Sequence, residues 1–261
     1  MSDDIDDAEL LAVARRAAHA AGAELRSRFG HSQPGIRAKS SPTDLVSDAD
    51  VAAEQAIRDI LGELARGDAI LGEEGGETGG DGERRWVIDP LDGTTNFLFG
   101  VPQFAVSVAC EDRRGTVVGA VLDPIRDECF TATRSRAPEL NGVRIVGSDR
   151  QELSTALVAT GFAYEAEVRA RQAAVLGRIL PRVRDIRRAG SAALDLAWCA
   201  CGRYDAYYER GLKPWDFAAG ALIATRSGLT VRTLPPGDGP EGLLAAPPAF
   251  VDGLQELVLG V

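Results

Sequence analysis

The sequence predicts a layered α/β fold on three observations: helical hydrophobic periods near the start, short apolar runs bounded by turns from residue 69, and strands alternating with helices beyond residue 156. At 261 residues the chain can form one large domain or two closely packed smaller ones, since domains run to roughly 100–200 residues. Hydrophobic residues make up 45% of it and charged residues 26%, the balance of a globular protein and not of a disordered or fibrous one.

Residues 7 to 29 carry Leu11, Ala14, Ala18, Ala21, Leu25 and Phe29 at helical spacing, with Gly30 placed as a C-terminal cap. A second helix follows Ser47, where Asp50 three residues on resembles a capping box; its expected buried face is Ala53, Ile57, Ile60, Leu61 and Leu64. Strands are expected at Ala69 to Leu71, Trp86 to Ile88, Phe104 to Ala109, Val117 to Leu122 and Cys129 to Thr133. Asn141-Gly142 signals a hairpin turn, and near it a first half (1–145, mixed α and β) gives way to a second (146–261, α/β). There the pattern reads strand 156–159, helix 165–180, strand 185–187, helix 191–201, strand 204–208, helix 215–226 closed by Gly228, strand 229–234 and a final helix. The helix at 191–201 shows its stripe at Leu194, Ala197, Trp198 and Cys201, while Gly75 to Gly82 and Pro235 to Gly242 read as surface loops.

Composition narrows the chemistry. A formal net charge of -10 repels nucleic acid and anionic membranes, and an acidic protein that handles an anionic substrate needs cations to mediate. No run approaches the ~18 apolar residues of a membrane helix, and the acidic start is unlike a signal or transit peptide, so a cytoplasmic location is expected. The four cysteines (110, 129, 199, 201) form no CxxC pair and read as reduced, packed thiols. His19 and His31 are the only histidines, which argues against Ser-His-Asp catalysis and HExxH zinc sites.

Carboxylates remain. In Trp86-Val-Ile-Asp89-Pro-Leu-Asp92-Gly-Thr-Thr-Asn96-Phe97, a buried strand is expected to end at Asp89, Pro90 to force a turn, and Asp92 to return to the same side. Two converging carboxylates repel unless a hard cation such as Mg²⁺ lies between them, with the Leu91 carbonyl as a further oxygen donor. Gly93 and Thr94 open a short helix whose N–H groups suit a phosphate, and the Thr94 hydroxyl could position a water. Glu73 follows a strand as Asp89 does, and adjacent residues of extended chain face opposite ways, so Glu73 or Glu74 faces the same place while the other supports a loop. Asp216 begins an apolar helix, where it could be a metal ligand or simply an N-cap. Gly190, Ser191 and Ala192 open another helix, either as an anion or hydroxyl contact or as a plain Ser cap. Glu209 could accept hydrogen bonds from polyol hydroxyls or be an ordinary strand residue.

These pieces, together with KSSPTDLVSDAD (39–50), GEE (72–74), RRAGSAALDLA (187–197), YDAYYE (204–209) and WDFAAG (215–220), resemble the inositol monophosphatase family over nearly the whole chain. The resemblance implies an αβαβα sandwich of the inositol monophosphatase and fructose-1,6-bisphosphatase type, commonly dimeric and lithium-sensitive. It implies Mg²⁺ held by Glu73, Asp89, the Leu91 carbonyl, Asp92 and Asp216, with phosphate at Gly93 and Thr94. Substrate hydroxyls would meet Asp92, Gly190, Ser191, Ala192, Glu209 and Asp216. In the family a metal-activated water attacks phosphorus directly, with Glu73 and Thr94 aiding activation and Asp50 paired to Thr94. The stretch Arg134 to Glu139 and the pair Lys213-Pro214 depart from the family pattern without touching a metal ligand. Inositol monophosphate is the leading substrate; histidinol phosphate, fructose 1,6-bisphosphate and 3'-phosphoadenosine 5'-phosphate are alternatives. An aspartyl-phosphate mechanism is disfavoured, because it needs aspartates at i and i+2 where Asp89 and Asp92 are i and i+3. A non-catalytic metal or phosphate module is the remaining possibility.

Overall fold

The computed structural model describes residues 6–31, 35–38, 45–80, 82–237 and 239–261, so the Lys39 to Asp44 part of the motif lies outside the described residues. The chain begins with α1 (Asp7–Arg28), a small pair β1 (Arg37–Ala38) and β2 (Leu45–Val46), and α2 (Asp48–Leu64). Then come β3 (Ala69–Gly72), β4 (Gly76–Thr78), β5 (Arg85–Asp92), α3 (Thr94–Leu98), β6 (Ala105–Asp112), β7 (Gly115–Asp123), β8 (Glu128–Thr133), β9 (Glu139–Leu140) and β10 (Val143–Arg144). The remainder is β11 (Leu157–Thr160), α4 (Ala166–Ile179), β12 (Asp185–Arg187), α5 (Ala192–Ala200), β13 (Ala206–Arg210), α6 (Pro214–Arg226), β14 (Thr230–Leu234), β15 (Gly242–Ala246) and α7 (Val251–Leu259).

Two sheets organise the molecule. The larger has eight strands in the order β10-β9-β8-β7-β6-β5-β3-β4, and the smaller five, in the order β12-β11-β13-β15-β14. Alternation along each strand sends successive side chains to opposite faces, so each sheet needs cover on both sides. Trp86, Ile88, Val108 and Leu122 pack under Ala14, Leu25, Ile57 and Leu61 of α1 and α2. From the other face, Val87, Ala109, Val121 and Phe130 meet Leu194 and Ala197 of α5 and Ala219 and Ile223 of α6. The same two helices bury Leu196, Cys199 and Ala224 against Ala159, Tyr207 and Ala245 of the second sheet. Val158, Ala206 and Leu244 then pack on Val175, Ile179 and Leu254 of α4 and α7. The layers are therefore αβαβα, with α5 and α6 shared by both sheets.

Several expectations change. Leu64 is exposed, while Ala49, Asp50 and Glu54 join the buried face of α2. The stripe on α5 is instead an almost wholly buried helix, with Trp198 and Cys201 only partly covered, because it has a sheet on each side. Pro90 does not end its strand: β5 runs on to Asp92 through a register shift between Asp89 and Asp92. A proline is tolerated there because the pairing with β3 stops at Gly72 and Ile88, so no ladder bond needs its missing N–H. Within the expected glycine-rich loop, Gly76 to Thr78 folds back on β3 as a short edge strand. The apolar run Gly242 to Ala246, unassigned from sequence, is a strand pairing with both β13 and β14. Asn141 and Gly142 do form the hairpin turn, with φ of 49° and 81°.

Close approach of α6 to the large sheet depends on Gly119 of β7. A methyl group at 119 would stand 2.9 Å from the Ala219 Cα and 3.1 Å from its carbonyl oxygen, and helix backbone cannot yield as a side chain can. Gly119→Val is expected to lower unfolding free energy by roughly 1–3 kcal/mol, the usual range for overpacking. Urea denaturation checks this, and an unchanged midpoint would contradict so close a helix–sheet contact.

Candidate active site

Asp89 follows Val87 by two residues and so faces the side covered by α5 and α6. It is 2% exposed. Its Oδ1 accepts the Leu91 N–H at 3.0 Å, which folds the bulge back on itself. Directly across the ladder stands Ser107, whose hydroxyl donates to the Trp215 carbonyl at 3.1 Å. That bond fixes the start of α6 beside Asp89, and with it Asp216.

Asp216 is the third residue of α6, and its Oδ2 accepts the Lys213 N–H at 2.7 Å. It closes the helix from inside, so the simple N-cap reading is corrected; the cap position belongs to Lys213. Glu73 lies one residue beyond the last β3–β5 pair and donates its N–H to the Ile88 carbonyl at 3.3 Å. Asp92 comes from the end of β5, where its Oδ2 accepts both the Ser191 hydroxyl and the Ala193 N–H at 2.7 Å. Ser191 thus occupies the cap position of α5 without capping it: its hydroxyl is spent on Asp92.

These acids stand near enough to disturb one another. Burial first, then the charges of Glu73, Asp92 and Asp216, push the Asp89 carboxyl well above the usual range. Burial lifts Asp216 in the same way, with Asp92, Glu73 and Glu209 adding to it. Asp92 is raised by burial to about 6, although the hydrogen bonds from Ser191 and Ala193 pull it down. Among the described residues, no three His, Cys, Asp or Glu side chains are gathered tightly enough to hold a metal ion as they stand. Each of these carboxyls raises the cost of ionising the others.

Next to them is a set of oriented hydroxyls and amides. Gly93 has φ 104° and precedes α3, and any side chain there would meet the Gln103 and Gly190 carbonyls at 3.0 and 3.2 Å. The Thr94 hydroxyl lies 2.9 Å from Asp50 Oδ1 and 3.0 Å from the Leu91 carbonyl. With one proton to give, it favours the carboxylate. The other oxygen of Asp50 accepts the Ser47 N–H at 2.8 Å and the Ser47 hydroxyl at 2.7 Å. Helix capping and the Thr94 contact therefore use one side chain.

Glu209, the residue before the last of β13, is partly buried, so the plain surface-residue alternative gives way. One oxygen accepts the Tyr207 hydroxyl at 2.7 Å, and the carboxylate lies flat over Gly161, where no side chain would fit. Burial pushes Glu209 up to about 7. Gly190, Ser191 and Ala192 lie across from Gly93 at the entry to α5.

Some supporting residues escaped sequence reasoning. Buried Glu54 accepts the Glu74 and Gly75 N–H groups, both at 2.8 Å, and ion-pairs with Arg58 at 2.8 Å. The only trace of this in the sequence is a Glu–Arg spacing of four on a helix. Asn96 donates to the Gln103 and Ala189 carbonyls at 2.7 and 2.9 Å, tying the α3 turn to the loop before α5. Asp195, 1% exposed, is raised by burial and by the charge of Glu209. All four cysteines are free thiols, three of them buried.

Comparison with known proteins places this geometry. The model of the inositol monophosphatase family matches residues 6–254. The protein from Mycobacterium tuberculosis named inositol-1-monophosphatase SuhB is 44% identical over 96% of this chain and 93% of its own length. A Nus factor SuhB from Escherichia coli is 42% identical over 84% of this chain and 83% of its own. Among solved structures, the extragenic suppressor protein suhB of Bartonella henselae superposes with a TM-score of 0.88 at 35% identity, covering 95% of this chain and 98% of the other.

A pH dependence follows from Glu209. Its carboxyl rises from 4.5 to about 7 on folding, so the folded state favours the proton, and this contribution to stability is lost as pH climbs from about 4.5 through 7. Glu209→Gln removes that loss. Without added divalent cation, the variant is expected to match the parent near pH 4.5 and exceed it at pH 8 by up to about 3 kcal/mol. Thermal melts across that range check the sign; a variant weaker at pH 8 than at pH 4.5, relative to the parent, would contradict it.

Proposed function

The chain belongs to the inositol monophosphatase family, and on that premise we propose that it is a magnesium-dependent phosphomonoesterase whose leading substrate is inositol monophosphate. Membership supports phosphatase chemistry; the substrate and the metal are our reading. One observation carries it. Asp89 is a buried carboxyl whose ionised form is opposed by burial and by three further acids, an arrangement that favours a cation among them.

The donor chemistry fits a hard divalent ion, since Glu73, Asp89, Asp92, Asp216 and the Leu91 carbonyl offer only oxygen. Bound Mg²⁺ would polarise the phosphate and make a water acidic enough to react at neutral pH, which removes the need for a histidine base. The chain's own groups would do the rest. Asp50, fixed by Ser47, holds the Thr94 proton, so that the Thr94 oxygen can accept from a water and aim it. The free N–H groups at the start of α3 suit the phosphate oxygens, and Gly93 lets them approach. Glu73 lies beside Asp89 and can take a proton from that water. Asp92, Glu209, Asp216 and the Gly190 to Ala192 turn would meet the hydroxyls of the leaving group.

A phosphate-release assay tests the reading. Inositol 1-phosphate should yield phosphate with Mg²⁺ and none with EDTA. Asp89→Asn should lower turnover by about 10³-fold or more while the protein still melts cooperatively; near-normal turnover at saturating Mg²⁺ would remove Asp89 from the metal site. Because one relative is named as a Nus factor, turnover and not cation binding is the deciding readout. Mg²⁺ binding without phosphate release from any member of a phosphomonoester panel would favour a non-catalytic module. Glu209→Gln should reduce kcat/KM for inositol 1-phosphate by about tenfold more than for an aryl phosphate, and equal losses would reject hydroxyl recognition.

A further inference from the structure

The small sheet opens a second concavity, on its face away from the paired acids. Along β13, Tyr207 packs with the α5–α6 layer and Tyr208 with α4 and α7, so Glu209 and Arg210, next along the strand, part in the same way. On the Tyr208 side, beyond the ends of the parallel strands β11 and β13, lies a cavity of about 170 Å³ between α4, the end of α7 and the prolines beyond β14. A narrow recess of about 10 Å³ adjoins it and shares Gln172, Val175, Arg210 and Val258 with it. The helix that follows β11 covers this face, and the helix that follows β13 covers the other. A crevice outside the carboxyl ends of two neighbouring strands whose connections leave on opposite faces is where open α/β sheets take ligands.

The walls are fixed and the polar groups on them are donors. Arg210 Nη1 donates to the Pro235 and Pro240 carbonyls, both at 2.8 Å, and so pins the outer wall. Val168 and Val175 of α4, Val258 of α7 and Pro236 add apolar cover. Gln172 Oε1 is taken by the Ala163 N–H at 3.0 Å, which leaves the hydrogens of its amide nitrogen. Arg171, exposed at the rim, takes part in no hydrogen bond or ion pair among the described residues. In the recess, Tyr208 is 6% exposed, and its hydroxyl lies near that of Thr160 without a well-formed hydrogen bond. A buried hydroxyl so placed lacks what a ligand oxygen would supply. Glu209 also borders the recess, but its carboxyl is bonded to Tyr207 and seated over Gly161.

We propose that this cleft is a second ligand site, for a small organic anion: a carboxylate held by Arg171 at the mouth, an apolar body against the prolines and valines, and a polar atom at the far end that meets Gln172 and Tyr208. A guanidinium fork suits a carboxylate, and donors without a free acid beside them select an acceptor over a cation. The cavity of about 170 Å³ is below the roughly 300–1,000 Å³ of sites for drug-sized molecules, so its occupant is small. The site does not rest on the phosphatase reading, because α4, α7 and the prolines carry none of the acids Glu73, Asp89, Asp92 and Asp216.

Equilibrium dialysis with p-hydroxybenzoate tests it, with EDTA present so that no divalent cation draws the carboxylate to the acids. The parent should bind p-hydroxybenzoate about tenfold more tightly than p-hydroxybenzamide, which keeps the shape and loses the charge, and Arg171→Ala should erase that preference. Arg171 is exposed on a helix, where alanine is well tolerated, so the variant should melt as the parent does. Tyr208→Phe should weaken p-hydroxybenzoate by about 3–10-fold and leave benzoate unchanged. Asp89→Asn should bind both acids as the parent does. No binding to the parent at millimolar probe, a charge preference that survives Arg171→Ala, a Tyr208→Phe variant that treats the two acids alike, or binding lost in Asp89→Asn would each overturn the proposal.

Discussion

The molecule is arranged around a carboxylate where electrostatics alone would not place one. Asp89 sits on the inner face of the large sheet, nearly out of solvent and beside three other acids. Ionisation there costs both desolvation and repulsion. A flexible scaffold would relieve the strain by letting the acids drift apart. This one resists through paired backbone: β5 lies between β3 and β6, and the Ser107 to Trp215 bond joins the sheet to the start of α6.

The shared helix layer explains how residues as distant in sequence as Glu73 and Asp216 come to influence one another. Both α5 and α6 enter from the second sheet and pack on the first, presenting their N-terminal turns at the carboxyl end of β5. Asp92 is the tie between the two halves, because its one oxygen takes a hydroxyl and an amide from the start of α5. A helix N-terminus carries partial positive charge, so this carboxylate is better accommodated than Asp89. The difference in how far each is raised follows from the difference in partners.

Much of this was legible in the residues. The apolar runs at 86–88 and 117–122 fall inside strands, and the run at 104–109 lies in one from Ala105 on, since burial on both faces leaves a continuous hydrophobic signature. The Ser47 to Asp50 box and the Asn141-Gly142 turn were readable because local chemistry determines them. What could not be read was cooperative over distance. Strand β15, flanked by glycine and proline, exists because β13 and β14 both pair with it. The passage of β5 through Pro90 depends on where β3 happens to end. The N-cap alternative for Asp216 gives way to a third-position side chain, a shift of one helical turn that sequence position alone does not resolve. The supporting roles of Glu54, Asn96 and Asp195 arise from contacts between separate elements, which helix or strand periodicity does not reveal.

Charge at two scales then frames how an acidic protein can draw in an anion. The formal net charge of -10 makes the long-range field unfavourable, but at about 0.15 M ionic strength that field fades within about 8 Å, so the last contacts decide. Near the candidate site the chain spends its arginines on acids at the periphery: Arg58 on Glu54, Arg126 on Asp123 and Arg187 on Asp185. Arg188, exposed and in no ion pair among the described residues, is left as positive charge whose field reaches Glu209 and Asp195 and favours their ionised forms.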